Sequence, residues 1–259
     1  MLWIHGLLPF IWPLKNLVLK LAIVRGPVAF WRDYFRFLRE PLDPRFPLSI
    51  LDSQPCFYDR YDTAGVKPRH YFHQDLWAAQ KVFDSKVKEH LDLGSRIDGF
   101  VAHCAVFCKV NVIDIRPLTD LNERIHFVQG DITNLVGFAN ESVHSLSSLH
   151  VFEHIGLGRY NDPIGPQYLR QAVEEVIRVL APGASFYFAV PIGIQRLEFN
   201  GQRVFAPSTV LEMFERLEIV EFSAIDDADD LHLNANPQAF NAAEYSCGLF
   251  HFRKKGAVT

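Results

Sequence analysis

Cysteine is scarce in this chain: Cys56, Cys104, Cys108 and Cys247 are the only four in 259 residues. That number and spacing exclude a disulfide framework and fit no zinc knuckle. The four read as buried thiols in a reducing compartment, and no metal is expected. No window carries 18 apolar residues free of charge or proline, so a spanning helix is not expected. The apolar N-terminus has no basic start and no small-residue cleavage site, so it does not read as a signal peptide. A net charge of only −4 argues against a general nucleic-acid binder. Residues 41–69 carry no repeat and no low-complexity run.

What remains is a globular composition, 49% hydrophobic and 22% charged, with Phe 22 times against Trp 4 and Tyr 8. A bulky core follows. The charge is uneven: six basic and two acidic side chains fall in residues 1–40, so the rest of the chain carries the negative excess.

Three segments are expected. Residues 1–40 form a basic helical arm, with Leu14, Leu17, Val18, Leu21 and Val24 at helical spacing, a break at Gly26-Pro27, and a second helix. That second helix sets Phe30, Trp31, Tyr34, Phe35 and Leu38 on one face and Arg32, Arg36 and Arg39 on the other. Such a face suits a membrane surface, through residues 14–39, or packing on the protein's own core or a second copy in a homodimer. Residues 41–69 hold five prolines and read as a wrapping connector. Residues 70–259 alternate helices with short apolar strands. Helices are expected at Leu76–Val87, Phe100–Phe107, Tyr168–Leu180 and Val210–Leu217. Strands are expected at His90–Leu93, Val110–Ile115, Ile125–Val128, Val143–Leu149, Ser185–Val190, Glu218–Ala224 and Gly248–Arg253. This is an α/β pattern with a doubly wound, mainly parallel sheet, whose ligands belong beyond the carboxyl ends of the strands.

Chemistry-bearing residues gather at those ends. The first strand leads into Asp92-Leu93-Gly94-Ser95-Arg96-Ile97-Asp98-Gly99, where Gly94 lets the backbone turn beneath a ligand. The second strand ends near Asp114, spaced to accept from ribose hydroxyls, and the third at Gly130-Asp131-Ile132. The full G-x-G-x-x-G of a dinucleotide site is broken by Arg96. His150-Val151-Phe152-Glu153-His154 spells H-x-x-E-H, a zinc-peptidase pattern only when helical. Following an apolar strand directly, it reads instead as a strand-end group in which Glu153 or His154 takes a proton from an acceptor hydroxyl. Gly156 to Pro163, with Arg159 and Tyr160, reads as an acceptor lid, and Glu198 to Arg203, with Asn200 and Arg203, as a second acceptor loop. Tyr71, His73, Gln74 and Asp75 read as a closing edge or as a helix cap over an aromatic. The run Asp226-Asp227-Ala228-Asp229-Asp230 reads as a solvated loop.

These strand ends, with Ala181-Pro182-Gly183 before the fifth strand, resemble the class I S-adenosylmethionine-dependent methyltransferases over residues 70–259. More narrowly, His70 to Asp75, Asp92 to Phe100, Leu149 to Tyr160 and Ser246 to Phe252 resemble a methyltransferase-like family of unknown function often found near cell-surface polysaccharide genes. The resemblance implies a Rossmann-like, seven-stranded sheet with an antiparallel last strand. It implies S-adenosylmethionine as cofactor, with Gly94 under its methionine part, Asp114 at the ribose and Asp131 at the adenine amino group. Asp92, Ser95, Asp98 and Ile132 complete the expected cofactor set, and His150, Arg159, Tyr160, Asn200 and Arg203 the expected acceptor set. Arg96 and Asp98 stand where that family has glycines. The sulfonium repels Arg96, and Asp98 is placed to offset this. The expected activity is O-methylation of a sugar or lipid-linked precursor, in the cytoplasm at the inner membrane surface. The alternative is a catalytically inactive methyltransferase-like scaffold.

Overall fold

The structure is a computed structural model that describes residues 25–57, 59–61, 69–118 and 122–256. The chain divides into two compact units, Met1–Val66 and Lys67–Thr259. The helix expected over residues 14–24 lies outside the described residues. Among the described residues no helix is long and apolar enough to cross a membrane.

In the first unit, residues 25–37 form helix α1, so Gly26 and Pro27 are helical rather than a break between helices. Gly26 is needed for close approach: a Cβ there would lie 2.6 Å from the Phe57 carbonyl oxygen. Phe30 packs edge-on against Phe57 at 5.9 Å, and Asp33 pairs with Arg60. The face expected to be apolar is therefore split. Phe30 and Tyr34 are half-buried, whereas Trp31, Phe35 and Leu38 are exposed.

In the second unit the alternation of apolar residues builds an α/β sheet. The elements are α2 (His70–Asp84), β1 (Glu89–Leu93), a π-helical turn (Ile97–Val101) running into α3 (Ala102–Ala105), β2 (Lys109–Asp114) and β3 (Ile125–Gln129). Next come β4 (Val143–Leu149), α4 (Gln167–Val179), β5 (Leu180–Ile192), the hairpin β6 (Arg196–Glu198) and β7 (Gln202–Val204), and α5 (Pro207–Met213). The last are β8 (Leu217–Ile225), β9 (Leu231–His232) and β10 (Ser246–Lys254). Strand order is β3-β2-β1-β4-β5-β10-β8-β9, with β1 to β5 parallel and β10 antiparallel to both neighbours. The doubly wound, mainly parallel sheet and the inserted antiparallel strand match the expectation. The strand number does not: β9, two residues paired to β8, makes eight. A two-residue strand leaves no periodic signal in sequence.

Both faces of the sheet are covered, because side chains alternate along each strand. On β5, Phe186, Phe188 and Val190 enter the core beneath α4 and α5, with Phe214, Phe250 and Phe252. Tyr187 and Ala189 point to the opposite core, with Trp77 and Val82 of α2 and Phe100. Ala181-Pro182-Gly183 does not separate helix from strand, as expected, because β5 begins at Leu180. Val143 pairs with Leu180 and Ser145 with Ser185, so the segment between is bulged, with Gly183 at φ 78°.

Three of the four cysteines are buried as expected, but Cys56 is exposed. The run at 226–230 is organised rather than merely solvated. Asp226 accepts from the Ala228 and Asp230 amides, and Asp227 accepts from the Glu244 and Tyr245 amides and the Ser246 hydroxyl.

Candidate active site

Strand order reverses between β1 and β4, and a cavity of about 420 Å³ lies beyond the carboxyl ends of β1 to β4. Gly94, at φ 76°, closes β1; a Cβ there would meet the Val151 side chain at 3.1 Å. Asp114 ends β2, and Asp131 and Ile132 follow β3; with Gly94, all four reach the cavity.

Asp92 and Ser95, expected at the cofactor, do not line the cavity. Asp92 is buried, accepting from the Ser95 amide (2.8 Å), the Ser95 hydroxyl (2.6 Å) and the Ser147 hydroxyl. The Ser95 hydroxyl in turn accepts from the Leu149 amide at 3.1 Å. His90 bridges Ser145 and Ser147 at 2.8 Å each. This buried network binds the β1 turn to β4, so Asp92 and Ser95 are positioning residues. Burial pushes His90 down to about 3 and Asp92 up to about 6, the latter despite its serine donors.

Asp98 also stays outside the cavity. It holds Arg96 through Nε (3.1 Å) and Nη2 (2.7 Å), while Arg96 lies over Tyr71 at 5.0 Å. Arg96 itself lines the cavity, with its charge paired by Asp98. The hydrogen bond and charge of Arg96 hold the Asp98 carboxyl below its ordinary value, against a smaller effect of burial.

Asp114 accepts three bonds from Arg116: from the amide (2.8 Å), Nε (3.0 Å) and Nη2 (2.6 Å). Arg116 lies over Tyr160 at 4.6 Å. Asp131 Oδ1 accepts from the Thr133 amide and hydroxyl at 2.8 and 2.7 Å. Of the expected closing edge, only Tyr71 lines the cavity. Gln74 and Asp75 are buried and bonded to each other at 3.0 Å, and Arg69 at the α2 N-cap makes no side-chain cap.

The H-x-x-E-H pentad follows β4 as a chain of turns, not a helix, with His150 at φ 55°. His150 Nδ1 lies 2.8 Å from Glu153 Oε1, while His150 Nε2 and Glu153 Oε2 are buried without partners among the described residues. Burial alone would lower the His150 pKa, but the Cys247 sulfur and the Glu153 carboxylate more than offset it, holding it well above the ordinary value. His154 Nδ1 lies 2.7 Å from the Gly201 carbonyl oxygen. A carbonyl only accepts, so Nδ1 carries the proton and Nε2 keeps its lone pair. Burial holds the His154 pKa below the ordinary value, against the opposing charge of Glu153.

Of the expected acceptor residues, His150, Arg159 and Tyr160 line the cavity; Asn200 and Arg203 do not. Arg159 donates to the Gly201 carbonyl at 3.0 Å, and Tyr160 packs edge-on to His154 at 5.4 Å. Glu198 to Arg203 is not an open loop: Asn200 sits in the turn between β6 and β7. The Arg203 amide donates to the Glu153 carbonyl at 2.9 Å and its guanidinium to the Ile155 carbonyl at 2.7 Å, so it supports the pentad from behind. The loop after the pentad is pinned by Asp162, which accepts from the amides of Gly156, Gly158 and Tyr160. Sequence reasoning missed Arg116, Thr133, Asp162 and Tyr245 on the cavity wall. Asp162 alone had a local signal, as an acidic residue closing a glycine-rich turn.

Residues 120–247 match the model of a family described as Caenorhabditis protein of unknown function, DUF268. No curated protein matches. Among solved structures, the chain is similar to the N-methyltransferase NodS from Bradyrhizobium japonicum WM9, in complex with S-adenosyl-L-homocysteine. The two share 17% identity at a TM-score of 0.50, over 86% of this chain and 97% of that one. It is also similar to the [4+2]-cyclase SpnF, at 13% identity and TM-score 0.54, over 71% and 81% of the two chains. A third is the 1,6-didemethyltoxoflavin-N1-methyltransferase of Burkholderia thailandensis, with bound 1,6-didemethyltoxoflavin and S-adenosylhomocysteine. It shares 13% identity at TM-score 0.50, over 71% and 79%. The chain has the Rossmann-like fold of class I S-adenosylmethionine-dependent methyltransferases. Since one of these structures is a cyclase, the fold does not by itself fix the reaction.

Proposed function

We propose that this protein is an S-adenosylmethionine-dependent methyltransferase that acts on a hydroxyl of a sugar or glycolipid precursor. One observation carries the reading. Gly94, Asp114, Asp131 and Ile132, from three successive strand ends, meet in one cavity that His154 enters from a fourth.

The residues present suit the cofactor. Two carboxylates offer acceptors for ribose hydroxyls and an adenine amino group, with apolar Ile132, Leu149 and Val151 beside them. An ionised carboxylate has about four acceptor positions, and Arg116 takes three on Asp114, leaving room for a hydroxyl. Gly94 keeps the turn low where the methionine part belongs. The bound cofactor supplies an electrophilic methyl group. This chain's own work is to orient the acceptor and take its proton.

His154 is the group for that step. Its fixed tautomer presents Nε2 as a base, and Tyr160 and the Gly201 carbonyl hold the ring. Arg159 and Arg116 offer donors for a phosphate or carboxylate on the acceptor. The preference for a sugar hydroxyl rests on the family resemblance and on His154 as base. The same reading places the protein in the cytoplasm, with the exposed Trp31, Phe35 and Phe37 of the basic arm resting on the inner membrane surface beside a lipid-linked acceptor. Labelled methyl transfer from S-adenosylmethionine into lipid-linked sugar fractions tests this. His154→Gln is expected to abolish transfer while S-adenosylhomocysteine still binds. Binding without transfer in the wild type would favour the scaffold reading, whose best support is Arg96 on the cavity wall.

A further inference from the structure

His70, His150 and Cys247 lie far apart in sequence and converge in space. Their ligand atoms all fall within 4.8 Å of one another. His70 opens α2, His150 follows β4, and Cys247 stands at the start of β10. Because β10 is antiparallel, its first residues reach the rim where the parallel strands end, and Cys247 pairs with Pro191 near the end of β5. The sheet topology therefore delivers a thiol to the edge where α2 and the β4 turn supply imidazoles.

We infer that these three residues form a binding site for a divalent transition metal, with zinc the best match. Two imidazoles and a thiol are the nitrogen and sulfur set that zinc takes, and three protein ligands leave a fourth position for water or an oxygen ligand. Tetrahedral bonds of about 2.0–2.3 Å set donors roughly 3.5 Å apart, so donors that lie within 4.8 Å of one another need only draw closer around the ion. A second, independent observation points to the ion. The His150 side chain is 5% exposed, and among the described residues its buried Nε2 has no partner. Its Nδ1 faces Glu153 Oε1 at 2.8 Å, the arrangement in which a carboxylate fixes the tautomer and turns the other nitrogen to a metal. Glu153 is then a positioning residue. His70 is held in place by stacking on Tyr245 at 5.7 Å, and its Nε2 lies 3.9 Å from Asp229. Cys247 is fully buried and absent from the cavity wall, which removes the reading of this group as a cysteine nucleophile with a histidine base.

The expectation of no metal rested on the cysteine spacing and on the pentad, which off a helix cannot supply a tetrahedral set. The site uses only one residue of that pentad and takes the other two from distant elements. It stands independently of methyl transfer.

The test uses the full-length chain, stripped with chelator and titrated with Co(II) and Zn(II) ions. One ion per chain is expected, with the Co(II) form showing the sulfur-to-metal charge-transfer band and the strong visible bands of tetrahedral coordination. Cys247→Ser is expected to lose the charge-transfer band, and His150→Ala to weaken binding by at least 100-fold. Glu153→Gln is expected to weaken it 10- to 100-fold while keeping the band. Circular dichroism checks that each variant is folded. Absence of stoichiometric binding by the wild type, a six-coordinate Co(II) spectrum, or an unchanged band in Cys247→Ser overturns the inference. S-adenosylhomocysteine binding, measured on the same samples, reports separately on the proposed function.

Discussion

Single residues decide more here than their types suggest. Asp92 reads as a site group in sequence, yet it lies with His90 in the buried network that joins β1 to β4. Their titrations oppose each other. His90 falls to about 3 when folded, from an ordinary 6.5, so its contribution is intact above pH 6.5 and is lost as pH drops toward 3. Asp92 rises to about 6 from an ordinary 3.8, so its contribution is intact below pH 3.8 and is lost as pH rises through 6. Between pH 6 and 4 the two slopes offset. Asp92→Asn removes one of them, and urea midpoints of that variant are expected to fall more steeply than wild type over this window. Parallel curves would show that Asp92 does not titrate there. Gly94 is a simpler case. Gly94→Ala places a Cβ at φ 76° against Val151 and is expected to cost about 1–2 kcal/mol in chemical denaturation. That Gly94, Asp114 and Asp131 would share one cavity wall was legible because strand-end position is written in the hydrophobic pattern. Asp92, Ser95 and Asp98 were misplaced because pattern gives position but not side-chain direction: Ser95 and Asp98 have partners within the same turn, and Asp92 also takes Ser147 from β4.

At the scale of elements, short connections hold the site. The β6–β7 hairpin, read from sequence as a loop, supports the pentad through Arg203 and gives His154 its Gly201 carbonyl. Three-residue strands are too short for an alternation to show. On α4, Arg178 donates to the Leu135 and Phe138 carbonyls and the Asn140 side chain, and pairs with Glu175 at 2.7 Å. It thereby fixes the segment between Ile132 and β4. Arg178→Ala is expected to lower stability by about 1–2 kcal/mol, since the carbonyls lose charged donors. A change below a few tenths in thermal or urea unfolding would mean that water replaces the guanidinium without loss. The bulge at 181–184 shows why a Pro-Gly signal misleads: the same turn chemistry serves a break between elements or an irregularity inside one.

For the whole molecule, the alternation of helices and strands was enough to expect a doubly wound sheet with its ligands at one edge. It could not show which distant residues share that edge. Cys247 illustrates the limit, since its place beside His70 and His150 follows from an antiparallel insertion that joins elements 177 positions apart. The central claim is that this edge binds S-adenosylmethionine. Calorimetric titration of the full chain with S-adenosylhomocysteine tests it most directly. The account predicts one site per chain with micromolar affinity, about −8 kcal/mol, weakened by about 1–3 kcal/mol in Asp131→Ala. No heat and no thermal shift at millimolar ligand would contradict it.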